Sequence, residues 1–182
     1  VTSGAVLAGD ANDITAAGNV SFNAAGAYTK TGTPTLTLTG GSFTSAANSV
    51  GNLVINGNVI TTDAIMVDND FTLIAGALTA NNALRITNDA TFTAGTASVS
   101  GALRIDGTNI SIAGAVVTLQ GSGSLIGDDT GDTLSFGGGT LNVQALTTFA
   151  GPVNMSGTAI LNLRANTNLN ENLTAATGTT FD

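Results

Sequence analysis

Residues 70–86 read DFTLIAGALTANNALRI, and residues 89–105, nineteen positions further on, read DATFTAGTASVSGALRI. The two segments align without a gap, so that Asp, Thr, Ala-Gly and Ala-Leu-Arg-Ile recur at the same places. One repeat period earlier, residues 64–67 (AIMV) match residues 83–86 (ALRI). One period later, we expect Gly114 to lie over Gly95. A fixed period of this size is typical of a solenoid, in which each repeat buries its apolar face only against its neighbours.

Short runs of alternating apolar and polar residues fill most of the chain. This period-two alternation, rich in β-branched side chains, indicates short half-buried strands, and the Gly, Asn, Asp, Thr and Ser between them favour tight turns. A period near nineteen can hold three strands and three turns, and roughly nine such coils would form a rod about 45 Å long. The sequence therefore predicts an all-β parallel β-helix (β-solenoid) with coils of about 19 residues and essentially no helix. The alternative is an antiparallel β-sandwich, which does not require gapless repeats and usually has more aromatic core residues.

We interpret residues 1–182 as a single β-solenoid domain, because no break in composition separates two. Residues 1–18 are expected to form an irregular first coil and residues 19–175 the repeat coils. Within these, residues 121–139 (GSGSLIGDDTGDTLSFGGG) interrupt the period and predict an insertion or a wide turn. The chain begins at Val1, which leads us to expect a processed or excised segment.

The composition excludes several classes of function. Twelve acidic residues stand against four basic ones, for a net charge of −8, so neither nucleic acid nor an anionic membrane surface is an expected partner. No apolar stretch is long enough to predict insertion into a membrane. With neither His nor Cys, the chain lacks the commonest general base, nucleophile and metal ligands. We therefore expect no enzyme activity, no catalytic residue and no organic cofactor.

The central repeat also predicts which side chains face outward. Alternation points Arg85 and Arg104 away from the core and stacks one over the other. Asp68 and Asp106 fall in the adjoining outer column, diagonally below and above Arg85. We interpret this pattern as a solvated charge ladder, and an anion or sugar site is the alternative.

The stretch 127–134 (GDDTGDTL) contains the densest group of carboxylates. It resembles one degraded copy of the Gly- and Asp-rich nonapeptide of calcium-binding β-rolls, and Asp128, Asp129 and Asp132 are the candidate calcium ligands. Asp128 stands where that motif has Gly, and a β-roll completes its calcium shell only with consecutive copies. A second pair of carboxylates, Asp70 and Asp89, is expected to stack at a turn, either as part of a solvated Asn/Asp ladder or around a bridging cation.

Residues 35–39 (TLTLT) suggest outward Thr pairs of the kind that form flat ice-binding arrays. Such an array needs Thr at the same place on successive coils. We take the equivalent positions to be Arg85/Thr87, Arg104/Asp106 and Asn52/Val54. Because these are not Thr pairs, the sequence predicts that the array is not sustained.

The stretches GNLVINGNV (51–59), NDFTLIAGALTANNALRIT (69–87) and NDATFTAGTASVSGALRID (88–106) carry a family likeness. In style of repeat they resemble filamentous haemagglutinin-type adhesins and autotransporter passengers. The resemblance implies a right-handed parallel β-helix, export to a bacterial cell surface or the extracellular medium, and a shaft or adhesive role. It carries over no binding or catalytic residue, and the secretion-domain signatures of that family are not evident.

These observations together favour a structural cell-surface solenoid, serving as an adhesin stalk or surface-layer component. One alternative is a subunit of a self-assembling extracellular filament, and another is a carbohydrate-binding or carbohydrate-cleaving β-helix. The expected partners are further copies of the chain or neighbouring repeats of a longer chain, together with host or cell-surface glycans.

Overall fold

The structure is a computed structural model that describes residues 7–10 and 12–182, with the backbone alone described for residues 7–10. The described residues form only strands, turns and loops, which confirms the prediction of an all-β chain without helix. The strands are β1 Leu7–Asp10, β2 Ile14–Ala16, β3 Val20–Ser21, β4 Tyr28–Lys30, β5 Thr35–Thr44, β6 Ser49–Val50, β7 Asn52–Thr61, β8 Ile65–Val67, β9 Phe71–Ala75, β10 Ala77–Ala80, β11 Leu84–Ile86, β12 Ala90–Phe92, β13 Thr96–Val99, β14 Leu103–Ile105, β15 Asn109–Ile112, β16 Val116–Leu119, β17 Ser124–Ile126, β18 Thr133–Phe136, β19 Thr140–Val143, β20 Thr147–Phe149, β21 Val153–Met155, β22 Ile160–Leu163, β23 Thr167–Leu169, β24 Leu173–Ala175 and β25 Thr180–Phe181.

The strands stack in parallel into about eight coils, about 20 residues apart, which confirms the β-solenoid. Each full coil contributes one strand to each of three faces. The first face comprises β2, the beginnings of β5 and β7, and then β9, β12, β15, β18, β21 and β24. The second comprises β3, the ends of β5 and β7, and then β10, β13, β16, β19, β22 and β25. The third comprises β6, β8, β11, β14, β17, β20 and β23, and β1 pairs separately with β4.

The register reproduces the central repeat and then departs from it. Leu84 pairs with Leu103 at the nineteen-residue spacing, and Ile65 lies under Leu84 as expected. The prediction that Gly114 lies over Gly95 is wrong, because Thr96 pairs with Val116 and so places Ala115 there. One more residue separates Ile105 from Ile110 than separates their partners Ile86 and Ala90, so the spacing becomes twenty at β15 and varies in the coils that follow. Longer turns also explain why there are about eight coils rather than nine.

The core consists of columns of inward side chains, one above another. Leu84, Ile86, Leu103 and Ile105 are at most 2% exposed while Arg85 between them is exposed, as alternation predicted. Cross-strand aliphatic pairs contribute a few tenths to ~1 kcal/mol each, so stability is spread over the whole stack. Six of the seven phenylalanines are fully buried in these columns: Phe22, Phe43, Phe71, Phe92, Phe136 and Phe149.

The irregular segments of the sequence contain regular strands. Residues 1–6 and 11 of the expected irregular first coil lie outside the described residues, whereas β1 and β2 within that coil are strands. The stretch 121–139 contains β17 and β18, and the irregularity is concentrated in the turn of residues 127–132 between them. Pro34 and Pro152 each directly precede a first-face strand, where the missing N–H costs little. Among the described residues, there is no helix with the length and apolar character needed to cross a membrane.

Candidate functional site

The three candidate calcium ligands converge in the widened turn between β17 and β18. The turn spans residues 127–132, six residues where the equivalent turns after β8, β11, β14, β20 and β23 have three. The extra length lets Asp128, Asp129 and Asp132 each bring a carboxylate oxygen to within 4.8 Å of the others. Asp128 and Asp129 are exposed, whereas Asp132 is only 3% exposed.

The buried carboxylate of Asp132 holds this turn together. Its Oδ2 accepts hydrogen bonds from the backbone N–H groups of Asp128 (2.7 Å) and Asp129 (3.1 Å). The Asp129 Oδ1 in turn accepts the N–H of Gly131 at 2.6 Å. Backbone donors therefore already occupy oxygens of two of the three carboxylates. These bonds account for the burial of Asp132 through the turn's own backbone.

The crowding of carboxylates changes the acidity of one of them. Desolvation raises the pKa of Asp128, and the neighbouring carboxylates of Asp132, Asp106 and Asp129 raise it further. A bound divalent cation would relieve this repulsion, and hard oxygen ligands suit calcium, which takes six to eight of them. The three side chains could contribute to such a shell but supply only part of it.

The acidic turn belongs to a longer acidic corner, which we define as the turns that lead into the first-face strands. Nine of the twelve acidic residues of the chain lie in these turns: Asp13, Asp68, Asp70, Asp89, Asp106, Asp128, Asp129, Asp132 and Glu171. The sequence analysis missed this concentration. Counting residues back from each first-face strand would have found it, because seven of the nine lie within three positions of the strand that follows.

Asn and Asp side chains tie successive coils together at this corner. The Asn52 Oδ1 accepts the backbone N–H of Asp70 (3.2 Å), and the Asp70 Oδ1 accepts that of Asp89 (3.3 Å). The Asp89 Oδ1 accepts the N–H of Asn109 at 3.0 Å. The Asn88 amide also donates to Asp70 at 2.7 Å. The carboxylates of Asp70 and Asp89 therefore act as acceptors within the predicted Asn/Asp ladder, with no need for a bridging cation.

The charge ladder of the third face is arranged differently from the expected one. Arg85 stacks on Arg104, and both donate to Asp106, with Arg85 Nη2 at 2.9 Å from its Oδ2. Asp68 does not pair with Arg85 as expected, because it accepts hydrogen bonds from Lys30 and Ser49 of earlier coils. Three of the four cationic side chains are thus neutralised within the protein, which leaves little of this ladder to bind an external anion.

The first face carries an outward column of hydroxyl and amide side chains. Thr37 is followed by Val54, which breaks the column once, and then by Thr72 and Thr91. Arg85 and Arg104 belong to the third face and are not the equivalents of Thr37. The expectation that paired Thr residues are not sustained is still correct, because Asn52 and Val54 stack on Thr35 and Thr37. Eight of the nine members can form hydrogen bonds at a repeat of ~4.8 Å: Thr15, Thr37, Thr72, Thr91, Ser111, Ser135, Asn154 and Thr174.

Comparison of the chain with protein-family models, with curated proteins and with solved structures gave no match. The geometry alone therefore defines the class: a β-solenoid of stacked parallel coils. The likeness to adhesins and autotransporter passengers still rests on the style of the repeats.

Proposed function

We propose that this chain is a structural segment of an extracellular or cell-surface solenoid and serves as a shaft or a surface-layer component. The observation that supports the proposal is the unbroken stacking of apolar columns through about eight coils. At ~4.8 Å a coil, the stack spans about 40 Å. Every coil contacts its neighbours along three faces, so the rod resists bending without a globular core.

The surface chemistry supports the same role. The outward columns consist mostly of small, neutral residues, with larger apolar side chains at Ile60, Met66 and Ile74. Three of the four cations are paired within the protein, and the net charge of −8 favours solubility. Regular sheet faces also lack the converging polar groups that small-molecule sites require.

The test places a short epitope in the exposed part of the 127–132 turn of the protein in its native cells. We expect antibody to label intact cells, and electron micrographs of the purified chain to show rods. A matched chain with the epitope after residue 182 controls for access to the tag. Labelling that appears only after lysis would refute the surface location, and compact round particles would refute the shaft.

The hydroxyl column favours a second candidate, a binding surface for an extended polysaccharide. Its regular spacing offers a polymer lying along the rod one hydrogen-bonding group per coil, except at Val54. Co-sedimentation with insoluble polysaccharides tests this, with Thr91→Val and Ser111→Ala expected to weaken retention. Substitution of Thr148, which lies on the third face, serves as the control. Equal retention of all variants, or no retention of the parent chain, would refute polysaccharide binding by this column.

A further inference from the structure

The third face has one interface without a backbone ladder among the described coils. Strand β4 pairs with β1 in a separate two-stranded sheet, and the seven-stranded sheet of the third face begins only at β6. The strands β4 and β6 are nevertheless neighbours, because the Lys30 Nζ donates to the Ser49 Oγ at 3.1 Å. From β6 to β23, each third-face strand pairs with the next through its backbone. Side chains therefore hold β4 on the stack.

The segment around β4 is anchored at both of its ends. We define residues 24–32 as the strap. Before the strap, the Phe22 N–H donates to the Thr44 carbonyl at 2.9 Å, and after it the Asn52 amide donates to the Thr33 carbonyl at 2.8 Å. Between these anchors, no backbone hydrogen bond joins the strap to the next coil among the described residues. The strap can therefore move while both of its ends stay in place.

A glycine near each end gives the strap a place to bend. Gly26 has φ +76° and Gly32 has φ +70°, and nothing lies within 4 Å of a Cβ added to either. They differ from Gly41, whose added Cβ would lie 2.6 Å from the carbonyl carbon of Gly18 in the coil below. Close stacking of coils therefore does not explain these two glycines. Because glycine adopts a positive φ without strain, the backbone can change direction at both positions.

Lys30 forms the clasp that holds the strap down. Its Nζ donates to Ser49 and to the carboxylate of Asp68, so that one side chain spans three successive coils. The Ser49 Oγ donates to the same Asp68 oxygen at 2.7 Å. The Lys30 side chain is 15% exposed and the Asp68 side chain 38% exposed, so dissolved salt can screen the pair. Lys30 is the one charged residue of the strap, so salt acts on the strap through this clasp.

The closed strap buries Tyr28. The Tyr28 ring stacks on Phe22 with centroids 4.8 Å apart, and Phe22 packs edge-on against Phe43 at 5.6 Å. Tyr28 is only 6% exposed. Its N–H donates to the Oδ1 of the buried Asn48 at 3.3 Å, and the Asn48 Nδ2 donates to the Ala24 carbonyl at 2.9 Å. Opening of the strap would therefore break both bonds and expose an aromatic surface.

We propose that the strap is a salt-sensitive lid over the aromatic cluster of Phe22, Tyr28 and Phe43, and that the Lys30–Asp68 clasp sets how often it opens. Opening separates β4 from β6 while the rest of the stack stays folded. Local openings of this kind need less free energy than global unfolding. A partly exposed ion pair shifts such an equilibrium by up to about fivefold. The proposal goes beyond the shaft role and holds wherever the chain is displayed.

Tyr28 reports on opening without interference, because the chain has one Tyr, no Trp and no Cys. Nitration of the Tyr28 ring with tetranitromethane and hydrogen exchange of its amide both scale with the open fraction. We expect Lys30→Met to raise both rates about fivefold in low salt. The parent chain should show a similar rise in ~1 M salt, where Lys30→Met should change little. Arg85→Met is the matched control, because it removes a third-face cation paired with Asp106 and should leave both rates unchanged.

Asp68→Asn is the second clasp variant, and circular dichroism identifies any variant that has lost the fold. A parent chain whose two Tyr28 rates do not respond to salt overturns the proposal without any variant. Rates that the clasp variants leave unchanged, or that Arg85→Met raises equally, overturn it as well. Faster exchange spread evenly over β9 to β19 would show global unfolding instead of a lid. None of these outcomes bears on rod shape or surface display, so they are distinguishable from a failure of the shaft proposal.

Discussion

Thr61 places a hydroxyl in the apolar core. It belongs to the inward column of the second face, between Phe43 and Ala80, and is 2% exposed. Among the described residues, its Oγ1 is the one fully buried side-chain oxygen or nitrogen without a hydrogen-bond partner. An unsatisfied buried hydroxyl costs about 1–3 kcal/mol, so this position lowers the stability of the coil.

Thr61→Val should therefore raise the free energy of unfolding by about 1 kcal/mol, because valine has nearly the same shape and needs no partner. Denaturant titration measures the change. Thr79→Val, on the outward side of the same face, is the control and should stay within about 0.5 kcal/mol of the parent. A destabilised Thr61→Val variant would show that the hydroxyl has a partner in solution.

Asp128→Asn should stabilise the protein at neutral pH. The folded-state pKa of Asp128 is raised, so the folded chain holds this proton more tightly than the unfolded chain. Its contribution to stability is present below the ordinary Asp pKa and is lost as the pH rises through the raised value. Unfolding at about pH 7 should therefore favour the variant, and the difference should vanish near pH 3.

Equal stability of the two chains at both pH values would contradict this account. Thermal unfolding with added calcium provides the second readout on the same pair. A midpoint that calcium raises in the parent but not in Asp128→Asn would show that Asp128 contributes to the calcium site predicted at Asp128, Asp129 and Asp132.

The coils depend on glycines where the first face turns into the second. Gly76 has φ +84°, and a Cβ added there would lie 2.3 Å from the carbonyl oxygen of Gly57 in the coil below. Gly95 repeats the arrangement over Gly76. Only a residue without a side chain allows the backbones to stack this closely at the corner.

Gly76→Ala should destabilise the fold by about 3 kcal/mol or more, because it adds a backbone clash to an unfavourable φ. Gly123→Ala is the matched control: Gly123 has a similar φ of +83°, but nothing lies within 4 Å of its added Cβ. Gly123→Ala should lower the free energy of unfolding by only about 1–2 kcal/mol, because alanine is disfavoured in the left-handed backbone conformation. Equal losses in the two variants would show that strain at φ, and not close stacking, makes Gly76 necessary.

The sequence predicted strands well where the repeat is regular and predicted turns poorly. Alternation fixes which side of a strand faces the core, so the columns through Leu84 and Ile86 were correct. Alternation does not say which of the three faces a strand occupies, so Thr37 was compared with Arg85 of another face. A one-residue change in turn length leaves the strands intact but moves the register, which is why Gly114 was misplaced.

The site residues show the same limit. The stretch GDDTGDTL was enough to select Asp128, Asp129 and Asp132 as candidate ligands, and their carboxylate oxygens lie within 4.8 Å of one another, while calcium binding stays a prediction. Nothing in the spacing indicated that the Asp132 carboxylate bonds to the backbone of its own turn. Nor could it indicate that Lys30, two coils away, binds Asp68, because long flexible side chains choose partners that only the assembled stack brings near.

At the scale of the whole molecule, each coil is stabilised by its contacts with the neighbouring coils. In a solenoid, each repeat contacts only its neighbours, so an internal coil is stabilised from two sides and a terminal coil from one. Burial follows this rule at the C-terminal end. Inward strand residues from Leu36 to Leu161 are nearly inaccessible, whereas Leu163 and Leu173 are only partly buried and Phe181 is exposed.

Native-state hydrogen exchange should therefore show a gradient along the rod. We expect amides in the central strands β9 to β19 to exchange slowest, and those of β23 to β25 to exchange fastest, because the last coil opens without disturbing more than one interface. Uniform protection along the dilute parent chain would instead show that the coils unfold as one cooperative unit, contrary to nearest-neighbour coupling.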